Sequence, residues 1–105
     1  MPGEAFVEVR ARSGLRSRAL SADSVAVYDP HSWRTHIVSG AAAMLLALFA
    51  ERGQQPVAML AEALALDDIG FSPREADALV ARALSELHTC QLIEYAARPF
   101  AADLR

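Results

Sequence analysis

Residues 24–38 read SVAVYDPHSWRTHIV, and this stretch predicts a β-hairpin. Residues 24–28 are rich in β-branched side chains and end on an aromatic one, a composition typical of strands. The residues that follow predict a turn, since Asp29 can bond its own backbone and Pro30 presets φ. The chain is expected to return over residues 34–38 and to close an antiparallel pair.

Two further strands are predicted before the hairpin. Residues 6–10 alternate, with Val7 and Val9 on one face and charged side chains on the other. Residues 15–20 alternate more weakly and follow a serine-glycine break. Residues 5–38 are therefore expected to be mostly extended.

Two helices are predicted after the hairpin. The first is expected to have Ser39 as its N-cap and Gly53 as its C-terminal stop. The second is expected to begin with Pro56 at its first helical position, where the missing N–H costs nothing.

A third helix is predicted over residues 73–88. The sequence SPRE at residues 72–75 is a capping box with proline at the first helical position. Apolar residues then recur at helical spacing on one face: Ala76, Leu79, Val80, Ala83, Leu84 and Leu87. A short final strand is expected over residues 92–95, and the alanine-rich tail from Ala96 is expected to fray.

This order of elements predicts the fold class. Strands followed by three short helices are typical of an α+β domain with the helices on one side of a small antiparallel sheet. The second and third helices, joined by a short loop, predict a helix-turn-helix pair. The 105 residues are therefore expected to form one winged-helix-like domain over residues 1–105.

Composition excludes several classes of protein. Ten arginines, no lysine and 13 acids give a net charge of −3, which suits the phosphate backbone of nucleic acids poorly. Cys90 is the only cysteine, which excludes an internal disulfide and a multi-cysteine metal site. No catalytic set, metal or cofactor is expected.

No segment predicts a membrane span or a secretory leader. The longest apolar stretch, residues 41–50, is too short to cross a bilayer. No basic start followed by an apolar region occurs before residue 20, so a cytoplasmic protein without a membrane partner is expected.

Several motifs occur in an order that matches a known family. They are the strand VAVYDP at residues 25–30, the pair Thr35-His36, the helix AAAMLLAL at residues 41–48, and ALSEL at residues 83–87 leading into CQLIE at residues 90–94. In this order the chain resembles the bacterial PqqD-like family of small peptide chaperones, in the branch associated with HPr kinase-related proteins. The likeness covers about residues 15–95.

The resemblance implies a RiPP recognition element, in which a winged-helix-like unit has a three-stranded antiparallel sheet followed by three helices. Such domains do not catalyse a reaction; they bind a leader or precursor peptide and present it to a modifying or kinase-like enzyme. The peptide adds as a strand to the third strand of the sheet and lies against the third helix, a mode known as β-augmentation. Carried onto this chain, the implied peptide-binding residues are Thr35, His36, Ile37, Val38, Val80, Leu84 and His88.

Several other side chains could have a catalytic, metal-binding or partner-binding role, and each also has a purely structural interpretation. His88, two residues before Cys90, suggests a nucleophile and base, but cysteine is commonly a small buried hydrophobe and no oxyanion motif accompanies it. His31 and His36 share no metal-ligand spacing, and a hydrogen bond at a strand end is expected for His36. Trp33 is either an exposed anchor for a partner or a ring folded back over the sheet.

Two other functions stay open. A winged-helix DNA-binding regulator would use the same fold, but recognition helices normally present several basic residues. The third helix carries two arginines against three acids. A scaffold subunit of a larger enzyme complex is the second alternative, and exposed strand edges also allow a homodimer. The only basic cluster lies on the predicted strands and suits an acidic peptide, an acidic partner enzyme or a solvated face: Arg10, Arg12, Arg16 and Arg18.

Overall fold

The structure is a computed structural model that describes residues 6–98. These residues form an α+β arrangement with small antiparallel sheets and three α-helices, as the sequence predicts. The strands are β1 (Phe6–Ala11), β2 (Arg16–Ser21), β3 (Ser24–Asp29), β4 (Arg34–Ser39), β5 (Gln55–Pro56) and β6 (Ile93–Arg98). The helices are α1 (Ala41–Arg52), α2 (Leu60–Ala63) and α3 (Pro73–Thr89), with 3₁₀ turns at Val57–Met59 and Leu66–Ile69.

The predicted hairpin is present and forms the central strand and one edge strand of the first sheet. Strands β3 and β4 pair antiparallel from Ser24 opposite Ser39 to Asp29 opposite Arg34, and β2 pairs with the other side of β3. The strand order is therefore β2-β3-β4. The three-stranded sheet that the resemblance implies corresponds to this one.

The turn between β3 and β4 is organised by Asp29, as expected from its side chain. The buried carboxylate accepts hydrogen bonds from the His31 N–H at 2.9 Å and from the Ser32 hydroxyl at 3.0 Å. Burial acts to raise the pKa of Asp29, but these two hydrogen bonds, together with the nearby Arg12 guanidinium, hold the pKa below its ordinary value. The backbone carbonyl of Asp29 also accepts the Trp33 N–H at 2.9 Å, which closes the turn.

Residues 6–98 also contain a second three-stranded sheet, in the order β5-β1-β6. Val9 in its middle strand lies opposite both Gln55 and Tyr95 and is fully buried. The strand expected over residues 92–95 is present as β6 and extends to Arg98. The prediction that the tail frays from Ala96 is wrong for residues 96–98, because these residues are paired with β1; the rest of the tail lies outside the described residues.

The core lies where α1 and α3 meet the inner faces of the sheets. Helix α1 packs against α3, β4 and β1, while α3 also contacts α2 and β6. The apolar face predicted for α3 is confirmed, since five of its six residues are buried and Leu79 is half-buried. The fully buried aliphatic side chains of the core are Leu45, Leu60, Leu66, Leu87, Leu92, Val9, Val27 and Val38.

The start of α1 differs from the prediction by one residue. Ser39 is not the N-cap, because it is still paired with Ser24 as the last residue of β4. The N-cap is Gly40, whose φ of 61° is accessible to glycine without the steric cost of a Cβ. Its N–H donates to the Asp23 carbonyl at 2.9 Å, so the strand ladder continues up to the helix.

The second helix is shorter than predicted. Pro56 does not occupy its first turn; it has extended dihedral angles and pairs with Glu8 in β5. A 3₁₀ turn follows, and α2 covers only four residues before Ala65 adopts a left-handed conformation with φ of 54°. The pairing of residues 55–56 with β1 therefore replaces the expected first turn of a longer helix.

The capping box of α3 is confirmed. The Ser72 hydroxyl accepts the Glu75 N–H at 3.2 Å, and the Glu75 carboxylate accepts the Ser72 N–H at 2.9 Å. The hydrogen bond from the Ser72 N–H favours the ionised carboxylate and, together with the Ser72 side chain, lowers the pKa of Glu75 below its ordinary value. The predicted start of the helix at Pro73 is therefore correct.

None of the helices formed by residues 6–98 is both long enough and apolar enough to cross a membrane.

Candidate functional site

One edge of the first sheet is β4, which pairs with β3 on one side and with no other strand of residues 6–98. The Gly40 N–H donates to the Asp23 carbonyl, which identifies this facing pair as hydrogen-bonded. In an antiparallel ladder every second facing pair is hydrogen-bonded. Counted from Gly40 and Asp23, the bonded pairs include His36 opposite Val27, so His36 is bonded to β3. Thr35 and Ile37 lie between the bonded pairs and direct their N–H and C=O groups toward the open edge.

The side chains of β4 alternate between two faces. Val38 is buried in the core and His36 is half-buried on the same face. Thr35 is exposed on the opposite face, and Ile37 beside it leaves 63% of its surface in water. The edge thus combines unpaired backbone groups with an exposed aliphatic side chain.

A groove of about 420 Å³ separates β4 from the C-terminal end of α3. Its walls are polar and come from the two elements that the resemblance brings together: Ser32, Arg34 and His36 on one side, and Thr89, Cys90 and Gln91 on the other. A strand added to β4 would have one row of its side chains above this groove, because successive side chains alternate between faces.

Val80 and Leu84 do not line this groove. Each has only 5% of its surface exposed, and both contribute to the hydrophobic core. They lie beneath a separate groove of about 390 Å³, formed with Val57 and Ala61 where α2 packs on α3. The structure therefore brings His36 close to the end of α3 but does not bring Val80 or Leu84 to the edge of β4.

His88 lies on the last turn of α3 and is exposed. Its ring packs edge-on against the ring of Tyr95 in β6, with ring centroids 5.2 Å apart. Burial raises the pKa of the Tyr95 hydroxyl above its ordinary value. Cys90 is a free, half-buried thiol that faces the β4 groove instead. His88 is thus packed on β6, and Cys90 is the neighbouring residue that borders the candidate site.

Trp33 has the most exposed large hydrophobic side chain among residues 6–98. It leaves 83% of its surface in water, so the alternative in which the ring folds back over the sheet is wrong. Its backbone has φ of 60°, a left-handed conformation that is uncommon for a residue with a bulky side chain. The sequence places Trp33 in the turn between β3 and β4 but contains no residue pattern that indicates a left-handed conformation at this position.

The four arginines of the basic cluster divide into two pairs. Arg10 and Arg12 both contact Glu94 of β6, at 3.3 Å and 3.9 Å. Arg16 and Arg18 lie on β2, and no acid among residues 6–98 is within ion-pair distance of either. Arg16 and Arg18 on β2 and Arg34 on β4 therefore supply the accessible positive charge of the first sheet.

A third groove, of about 520 Å³, lies between β2 and α1 and was not predicted from the sequence. Its walls are mostly apolar and small, with Ala19 on the strand and Met44 and Ala47 on the helix. The sequence signal for this groove is Ala47 on the outer face of α1. A helix that is packed on all sides would carry a larger residue at this position.

The part of the chain that the structure describes contains no group of three or more His, Cys, Asp or Glu side chains arranged to hold a metal ion. Comparisons of the chain with family models, with curated proteins and with solved structures find no match.

Proposed function

We propose that this protein is a peptide-binding adaptor of the PqqD-like type. It binds a leader or precursor peptide by strand addition to β4 and presents that peptide to a modifying or kinase-like enzyme in the cytoplasm, without cofactor or catalysis of its own. The observation that carries the proposal is the open edge of β4, where Thr35 and Ile37 direct their backbone groups outward beside the groove at the end of α3.

Strand addition explains how so small a domain gains affinity for a peptide. The N–H and C=O groups of Thr35 and Ile37 each find a partner on an extended peptide, so four hydrogen bonds form without any change in the sheet. Because these bonds use only the peptide backbone, the side chains beside the edge must supply selection.

The two faces of β4 offer different chemistry to the peptide. Side chains on the groove face meet Arg34 and His36, which suits polar or acidic residues. Side chains on the other face meet Ile37, which suits apolar residues. We therefore expect the bound segment to alternate between polar or acidic and apolar residues.

The charge on α3 supports an adaptor over a DNA-binding regulator. The two arginines of this helix, Arg74 and Arg82, share its exposed surface with three acids: Glu75, Asp77 and Glu86. A helix that enters the major groove normally presents several cations to the phosphates and base edges. The surface of α3 is instead slightly acidic.

The proposal is tested by calorimetry of the full chain with the short peptides encoded beside its gene, and with duplex DNA as a control. Ile37→Pro removes an N–H that points to the open edge, and proline is tolerated on edge strands. Ile37→Ala is the matched control, because it shortens the same side chain but keeps the N–H.

We expect micromolar binding of one peptide, near-complete loss of that binding in Ile37→Pro, and only a modest loss in Ile37→Ala. Circular dichroism of both variants shows whether the fold is retained. Equal binding by the proline and alanine variants would contradict strand addition at β4. Tight, salt-sensitive binding of DNA without any peptide binding would contradict the adaptor function itself.

A further inference from the structure

The opposite edge of the first sheet, β2, is also without a strand partner in the described part of the chain. Along β3, residues bonded to β4 alternate with residues bonded to β2. The backbone groups of Val27 are hydrogen-bonded to β4. Those of its neighbour Ala26 are therefore hydrogen-bonded to Arg18, which lies opposite Ala26 on β2. Ser17 and Ala19 flank Arg18 and therefore direct their N–H and C=O groups away from the sheet. The domain thus has a second row of unpaired backbone groups.

The inner face of β2 overhangs α1 and leaves the groove of about 520 Å³ between them. The side chains of Ser17 and Ala19 form one wall, while Met44 and Ala47 belong to the helix wall. Met44 leaves 38% of its surface in water. A strand that bonded Ser17 and Ala19 would bury alternate side chains in this groove, and apolar side chains gain most from that burial.

The outer face of β2 has the opposite chemistry. Arg16 and Arg18 are exposed there, and no acid of residues 6–98 lies within ion-pair distance. The side chains of an added strand that do not enter the groove would lie beside these two arginines. Cross-strand neighbours of opposite charge stabilise a sheet and like charges destabilise it, so Asp or Glu is favoured at these positions.

Pairing of β2 with the same strand of a second copy is disfavoured by charge. If β2 paired antiparallel with β2 of another molecule about Ser17 or Arg18, arginines of the two copies would lie directly opposite each other. Charged residues on an edge strand are a common device against self-association of this kind. Charge complementarity therefore favours an acidic segment over β2 of a second copy.

We propose that the edge of β2 is a second strand-acceptor site, which binds an extended acidic peptide segment in which apolar residues alternate with Asp or Glu. The apolar residues enter the groove above α1, and the acidic residues pair with Arg16 and Arg18. The site does not rest on the proposed function of β4, since it uses other residues on the opposite edge of the sheet.

The test uses the full chain labelled with ¹⁵N and the capped octapeptide (Val-Glu)₄ as the probe. We expect saturable shifts of the Ser17 and Ala19 amide signals. The matched peptide (Val-Lys)₄ should bind about tenfold more weakly or worse, because it replaces two favourable cross-strand pairs by repulsive ones. Binding at Ser17 and Ala19 should survive Ile37→Pro, which separates this site from the edge of β4.

Two sets of variants test the groove and the charges. Arg16→Glu with Arg18→Glu should invert the preference, so that (Val-Lys)₄ binds about tenfold more tightly than (Val-Glu)₄. This inversion cannot result from loss of folding. Ala47→Gln should weaken binding by obstructing the groove, while Ala78→Gln, on the exposed face of α3, should not.

Three results would overturn the proposal. They are unchanged Ser17 and Ala19 amides at millimolar (Val-Glu)₄, equal binding of the two octapeptides to the unaltered chain, and retention of the (Val-Glu)₄ preference after both arginines are reversed.

Discussion

The carboxylate of Asp29 accepts the backbone N–H of His31 at 2.9 Å, and this hydrogen bond holds the turn from which β4 begins. The same side chain accepts the Ser32 hydroxyl, so a single buried acid fixes the conformation between the two strands of the hairpin. The ionised form of Asp29 therefore stabilises the turn that precedes the candidate peptide-binding edge.

Acid is expected to weaken the fold through this residue. Because the pKa of Asp29 is lower in the folded protein than its ordinary value of 3.8, ionised Asp29 stabilises the fold above that value. This stabilisation is lost as the pH falls through the folded pKa. Urea unfolding of the native chain and of Asp29→Asn, from about pH 5 to about pH 2, should show the larger loss in the native chain. If the free energy of unfolding fell equally with pH in both chains, this role of Asp29 would be contradicted. Glu75 is present in both chains, so its contribution to the pH dependence cancels in the comparison.

The capping box is expected to contribute measurably to stability. Ser72→Ala removes the hydroxyl that accepts the Glu75 N–H and should lower the free energy of unfolding by about 1 kcal/mol. Ser85→Ala, on the exposed face of the same helix, is the control and should be nearly neutral. Urea midpoints measure both, and an equal effect of the two changes would show that the cap is energetically unimportant.

Leu84 is expected to act on stability rather than directly on peptide binding. Its side chain is buried, so Leu84→Ala should lower the free energy of unfolding by about 2–5 kcal/mol. Peptide affinity, measured under conditions where the variant stays folded, should be close to that of the native chain. If Leu84→Ala lowered peptide affinity without lowering the free energy of unfolding, Leu84 would contact the peptide, as the resemblance implies.

Trp33 is expected to be dispensable for folding. Its ring is exposed and its φ of 60° disfavours any side chain, so Trp33→Gly should leave the free energy of unfolding unchanged or raise it by up to about 1 kcal/mol. Urea denaturation gives the answer directly. A loss larger than about 1 kcal/mol would show that the indole packs against the domain in solution.

The hairpin and the third helix could be predicted because their signals are local. Asp29 acts on residues two and three positions away, and the capping box joins Ser72 to Glu75. The second sheet could not be predicted in the same way. Arg10 and Glu94 are joined across 84 positions of the chain, and no local pattern specifies that β1 pairs with β6.

The candidate site was predictable in part for a related reason. The resemblance implied that β4 would be the acceptor edge, and this edge is open among the described residues. The apolar period of α3 identified Val80 and Leu84 as buried but not which neighbour covers them, and that neighbour is α2. The apolar groove beside β2 depends on how far the sheet overhangs α1, which is a property of packing.

Amide hydrogen exchange, followed by NMR on the full chain with and without its peptide, tests strand addition at β4 most directly. In the free protein the Thr35 and Ile37 amides should exchange quickly, while those of His36 and Val38, bonded to β3, should be protected. Saturating peptide should slow exchange at Thr35 and Ile37 and leave the other two little changed. Peptide binding without any new protection of Thr35 and Ile37 would contradict strand addition at this edge.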